Sequence, residues 1–159
     1  MAFPRVALYQ TCAIPADVLQ RIQHALDTNG QDGFPPPGHI SLTAAPDATH
    51  GMTPAQIHAH HWSALPPDTV GSPIVIMDEQ TLRDDTLLVV AAKPEPDDSE
   101  DEGDPALDAF ELGAGSGILG VRFAPAAVPL TVVNLQIGNQ DLTSYTATVD
   151  NDRVWRSFD

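Results

Sequence analysis

The chain has 159 residues, 42% of them hydrophobic, and a formal charge of −15 from 22 acidic against 7 basic residues. That length fits one domain, 1–159, with a core of its own. The charge repels phosphate backbones and anionic lipid, which argues against nucleic acid and membrane surfaces and leaves open a basic protein partner or a neutral or cationic small-molecule ligand.

The first strand is expected at "RVALYQT" (5–11), whose β-branched and aromatic residues stop at Cys12-Ala13-Ile14-Pro15. "PADVLQRIQHALDTNG" (15–30) follows as a helix. Pro15 suits its first turn, Val18, Leu19, Ile22, Ala25 and Leu26 form one apolar stripe, and Asn29-Gly30 is a C-terminal stop. "DGFPPPGH" reads as loop and "HISLTAA" (39–45) as a short strand. A second helix is expected over 53–65, where Thr53-Pro54-Ala55-Gln56 spells a capping box with proline at the first helical position.

"SPIVIMD" (72–78) and "TLLVVAAK" (86–93) are apolar enough to be buried strands, separated by the turn or short helix "EQTLRD". Residues 94–108 hold eight acidic residues and no basic one, so an acidic mobile loop is expected there. "AFEL" and "GVRFAP" read as two strands joined by the glycine-rich "GAGSGI". "LTVVNLQIG" (130–138) reads as a further strand and "DLTSYTATV" (141–149) as a last short helix or turn. The fold class is therefore α/β. We expect a mixed, largely parallel sheet of about five or six strands, two main helices, a short C-terminal helix, and antiparallel strands added at the edges late in the chain.

"IHAHHW" (57–62) gathers three of the six histidines. At about 100° per residue Ile57 and His61 share the inner face, His60 points almost opposite His58, and only the His58/His61 pair could offer two metal ligands. A structural zinc needs two more, and cysteine is scarce, so no metal is expected. His61 is placed at the core margin, His60 in solvent and His58 against Trp62. "GSGILG" (115–120) matches the dinucleotide fingerprint in letters, but "VRFAP" follows in place of a helix start, so no cofactor is expected. Cys12 has no basic neighbour in sequence to activate its thiol.

Ligands of parallel α/β sheets bind beyond the carboxyl ends of the strands. The candidate site residues are accordingly Asp78, Asn139, Asp141 and Cys12, all placed at chain reversals. Asp78 closes an apolar strand, where desolvation would raise its pKa and suit it to proton transfer. The competing reading makes Asp78 and Asp141 caps of the segments that follow them.

"MTPAQ", "LPPD", "IVIMDEQTL", "VRFAP" and the C-terminal "NLQIGNQDLTSYTATVDNDRVWRSF" together resemble a small, mostly actinobacterial single-domain family known only as a domain of unknown function. Asn134, Asn139, Asp141, Asp150, Asp152, Val154 and Arg156 match that family's closing motifs in register. Gln10-Thr11-Cys12 and Asp78-Glu79 stand where it tends to carry Arg-Thr-Asp and Asp-Arg. The resemblance implies a compact α/β domain and no particular activity.

Three readings of function remain open from the sequence. The first is a small acidic interaction or ligand-binding module. The second is a cofactor-free acid–base enzyme of isomerase, cyclase or lyase type. The third is an immunity-like or structural protein. Because no apolar run reaches the roughly 18 residues of a membrane span, the opening decapeptide lacks signal-peptide character and the single cysteine suits a reducing compartment, a soluble, cytoplasmic location is expected.

Overall fold

A computed structural model describes residues 4–28, 34–93, 109–113 and 115–156. The acidic stretch 94–108 lies outside the described residues. The elements are β1 (Val6–Gln10), α1 (Ala16–Thr28), β2 (Ile40–Leu42), α2 (Pro54–Ser63), β3 (Ile74–Met77), α3 (Glu79–Asp84), β4 (Leu87–Ala92), β5 (Ile118–Phe123), α4 (Val128–Gln136), α5 (Thr143–Thr146) and β6 (Val154–Trp155). One six-stranded sheet has the order β2-β1-β3-β4-β5-β6.

Three neighbouring pairs are parallel: β1 with β2, β1 with β3, and β5 with β6. The two pairings of β4 are antiparallel. Strand β4 is thus the single reversed strand, and the carboxyl ends of the other five share one edge with its start. Strand β4, expected with the parallel part of the sheet, runs antiparallel in its middle, while the late edge strand β6 is parallel; the reversal of β4 has a geometric reason. Only residues 78–86 separate β3 from β4, too few for the crossover of about a dozen or more residues that a parallel return needs.

Alternation along the strands splits the core in two. Val6, Leu8, Val75, Met77, Val89, Val121 and Phe123 face Ile22 and Leu26 of α1, Val128 and Val132 of α4, and Tyr145 of α5. Ala7, Tyr9, Ile74, Ile76 and Val90 face Ile57 of α2 on the other side. Pro15 lies just before α1, where its carbonyl accepts from Leu19 N at 2.9 Å. The outer edge of β2 is blunted because Gln23 Nε2 donates to the Ile40 carbonyl at 3.0 Å.

The capping box of α2 forms as its residues dictate: Gln56 N donates to Thr53 Oγ1 (3.2 Å) and Thr53 N to Gln56 Oε1 (2.9 Å). Thr53→Ala is expected to cost about 1 kcal/mol, the usual worth of such a cap. An unchanged urea midpoint in that variant would mean that packing alone holds the helix start.

Two sequence expectations are corrected in the second half. Residues 130–138 do not form a strand, because α4 occupies Val128–Gln136. Pro129 fits its first turn, and Val128, Pro129, Thr131, Val132 and Val133 are all buried. A helix wrapped so widely shows no polar face, so its period is hidden and its β-branched residues mimic a strand. Packing overrides that propensity. "AFEL" likewise contributes one isolated bridge, Glu111 to Leu119, with Leu112 lying so close over Gly120 that a Cβ there would come within 2.7 Å of Leu112 Cδ1. The sixth strand comes instead from the tail, where Arg122 and Phe123 pair with Val154 and Trp155. Asp150 and Asp152 both receive the Arg156 guanidinium at 2.6 Å, just past β6.

Candidate functional site

At the carboxyl edge the chain leaves β1 toward β2 on one side, while its neighbour β3 leads toward β4 on the other. Such a divergence opens a cleft between two strand ends. Thr11 N still donates to the Met77 carbonyl (3.0 Å), and the Thr11 carbonyl receives Gly51 N (2.9 Å), which ties the end of β1 to the segment leading into α2. Thr49 Oγ1 donates to the Gln10 carbonyl (2.7 Å), and Gln10 Nε2 donates to His50 Nε2 (2.9 Å). The resulting cleft measures about 380 Å³. Its walls are Thr11 and the entry to α2 (Gly51, Met52, Pro54) on one side, and Asp78, Glu79, Gln80 and Arg83 on the other.

Asp78 is the structural centre of this edge. It is the N-cap of α3, taking Thr81 N at 3.1 Å while its own N–H donates to Thr81 Oγ1 at 3.0 Å. The remaining lone pairs receive Arg122 in a two-pronged pair, Nη1 to Oδ1 at 3.1 Å and Nη2 to Oδ2 at 2.6 Å. Nη1 also reaches Thr86 Oγ1 at 3.4 Å, which itself donates to Asp84 Oδ1 at 2.6 Å.

Burial pushes the Asp78 carboxyl up. The hydrogen bonds and charge of Arg122, with the Thr81 amide and hydroxyl, more than offset this and leave it below its ordinary value. The expectation of a raised pKa is therefore corrected. Asp78 is a cap, as the competing reading had it, and also a permanently charged partner for an arginine. Arg122 escaped the sequence reading, although its position between Val121 and Phe123 in an apolar strand is a signal: a cation there requires a carboxylate.

The other candidates fall in different places. Cys12 is half-buried next to Thr11 but is not among the residues lining the cleft. Asn139 belongs to the opposite edge. Because Val128–Gln136 is helix, the chain runs back down the sheet, and Gln136 Nε2 donates to the Pro4 carbonyl (2.8 Å) while its Oε1 meets His39 Nε2 (2.8 Å), both just before β1 and β2. Asn139 N then donates to the Asn134 carbonyl at 3.0 Å, closing the helix end. Asp141 is exposed and accepts from Thr143 N (2.9 Å) and from the Thr143 hydroxyl at the start of α5. The four residues thus do not meet, and the structure joins Asp78 to Thr11 and Arg122 in their stead.

The histidines of α2 serve the core. His61, expected at the core margin, is fully buried. Its Nε2 lies 2.7 Å from the Val70 carbonyl, which can only accept, so Nδ1 is free to accept from Tyr9 Oη at 2.6 Å. His60, expected in solvent, is half-buried with its ring nearly perpendicular to that of Tyr9 at 6.5 Å between centroids. His58 stands 6.5 Å from the Trp62 ring as expected. Burial, and then the neighbouring His61, lower its pKa. Among the described residues no group of three or more histidine, cysteine or carboxylate side chains is placed to hold a metal ion. Gly115 and Gly117 lead into β5 and not into a helix, so the glycine run has no helix N-terminus to offer a pyrophosphate.

A family model described as a domain of unknown function (DUF6924) matches residues 7–158. No curated protein and no solved structure matches the chain. No helix among the described residues is long and apolar enough to cross a membrane.

Proposed function

The chain belongs to the DUF6924 family, and from that premise we propose that it is a ligand-binding α/β module whose cleft at the carboxyl ends of β1 and β3 takes a small polar molecule, neutral or cationic. The observation that carries this reading is the coincidence of the cleft with the divergence between those two strands, walled by Thr11, Gly51, Asp78 and Gln80. Backbone and side-chain polar groups line it, and the rim carries Asp78 and Glu79 against Arg83. Together with the net charge of −15, this rim favours a donor-rich or cationic ligand over a phosphate.

A carboxyl that Arg122 holds below its ordinary value is a weaker base and a poor proton donor near neutrality, which counts against Asp78 as the carrier in an acid–base enzyme. A binding role needs no such group. Asp78 then fixes the wall of the cleft through Arg122 and Thr81, and Gln80 is a side chain able to donate and accept.

The test is a screen of small amines, amides and carboxylates followed by amide chemical-shift mapping. Hits are expected to move Thr11, Gly51 and Gln80. Glu79→Lys should weaken cationic hits roughly fivefold, the worth of one exposed charge contact, and leave neutral hits unchanged. A screen in which no compound moves those amides would remove the cleft from consideration.

A further inference from the structure

A second depression lies away from the carboxyl-edge cleft, on the α2 side of the sheet over β1 and β2. Its origin is legible in the register. Ala7 and Ser41 are paired across the two strands, and both side chains are small, while α2 packs its Ile57 toward Tyr9, Ile74 and Ile76. The result is a cavity of about 270 Å³, floored by Ala7, Ser41 and Thr43, walled by Pro66 and Thr69, and flanked by Arg5. It is just under the roughly 300–1,000 Å³ of sites for drug-sized ligands, so a fragment-sized molecule fits.

Two polar features of the pocket are unspent. Thr43 Oγ1 is buried and, among the described residues, has no hydrogen-bond partner, an arrangement that costs free energy unless something satisfies it. Arg5 is exposed and, among the described residues, makes no ion pair, as is also true of Arg83 and Arg153, whereas Arg21, Arg122 and Arg156 are paired with aspartate. Of these three arginines, Arg5 is the one that lines this predominantly apolar hollow.

The geometry points to a binding site for a short amphipathic carboxylate. Its chain would lie against Ala7, Pro66 and the Thr43 methyl, and its carboxylate would take hydrogen bonds from Arg5 and the Thr43 hydroxyl. The site is separate from the carboxyl-edge cleft and selects the opposite charge. Peptide addition to β2 is the lesser reading, because Gln23 already occupies the Ile40 carbonyl on that edge.

The experiment is a titration of the full chain with hexanoate and, separately, with 1-hexanol, read by amide chemical shifts in the wild type, Arg5→Gln and Thr43→Val. Hexanoate is expected to move the amides of Ala7, Ser41, Thr43 and Thr69 with a dissociation constant on the order of 1 mM, in keeping with its few heavy atoms. Arg5→Gln should weaken hexanoate roughly fivefold and leave hexanol unchanged. Thr43→Val should also weaken hexanoate without lowering the melting temperature, since the hydroxyl it removes has no partner in the free protein. A purely structural threonine would give a lower melting temperature and unaltered binding, which overturns the proposal. So would hexanoate shifts confined to Thr11, Gly51 and Gln80, or equal loss of hexanoate and hexanol in Arg5→Gln.

Discussion

Phe123→Ala is expected to be among the most damaging single substitutions in the chain, at about 3–5 kcal/mol. Phe123 is fully buried at the carboxyl end of β5. Its ring centroid lies 5.3 Å from that of Tyr145 and 5.6 Å from that of Trp155, and those two are 5.1 Å apart. The three rings close one another's contacts, so truncating the central one leaves a void that neighbours pinned by their own hydrogen bonds cannot fill. Trp155 Nε1 is tied to Thr148 Oγ1 at 2.9 Å and Tyr145 Oη to Gln140 Oε1 at 2.6 Å. Strand β6 is only two residues long, and its hold on β5 rests largely on Trp155.

The variant should therefore lose amide protection first at Val154 and Trp155. Its melting temperature should fall by roughly 10 °C, taking about 2–4 °C per kcal/mol for a chain of this size. Phe123→Leu, which keeps much of the volume, should cost about 1–2 kcal/mol. A loss in Phe123→Ala of less than about 1 kcal/mol would show that this end of the sheet repacks freely, against the density expected of a core.

The second large effect is expected at the Asp78–Arg122 pair. Breaking a fully buried pair by removing one partner costs about 3–5 kcal/mol. Here the Asp78 and Arg122 side chains are 21% and 14% exposed, so solvent screens part of the penalty and Arg122→Met should cost about 2–3 kcal/mol. Asp78→Asn retains an N-cap for α3, because asparagine caps as well as aspartate, and so isolates the charge pair. Asp78→Ala should lose about 1 kcal/mol more through the cap. The double variant Asp78→Asn with Arg122→Met should recover much of the loss, since it leaves no unpaired charge. Strictly additive single losses in urea unfolding would contradict the pair as drawn.

The pH dependence follows from the depressed carboxyl. Its contribution is fully present above the unfolded-state value of about 3.9 and is lost as the pH falls through the lower folded-state value. Arg122→Met should flatten the acid limb below about pH 4, because a carboxyl no longer held down by the guanidinium takes its proton about as readily in the folded as in the unfolded chain. An unchanged acid limb would mean that the charge pair contributes nothing to acid stability.

These expectations concern residues that the sequence reveals unequally. Local rules were enough where one or two turns of chain decide the outcome. The apolar stripe of α1, the Thr53–Gln56 box of α2 and the apolar runs of β1, β3 and β4 all specify their elements through contacts within a few residues. The motifs of the second half likewise carry the family membership that the match over residues 7–158 bears out. Asp78 as an N-cap was also legible, because a cap is a contact between residues three apart.

What lies beyond those ranges only the tertiary structure decided. Arg122 reaches Asp78 across 44 residues of sequence, and no local pattern connects them. Val128–Gln136 is helical because α1 and the sheet bury it on most sides, which erases the polar face that would have announced a helix. That one change of element carries Asn139 from the carboxyl edge to the amino edge, and with it half of the site expected from the sequence. Local propensity is worth at most about 1 kcal/mol per residue, whereas burial of one large side chain is worth about 1.5–3 kcal/mol. Where the two disagree, packing prevails, and packing partners are set by the fold as a whole.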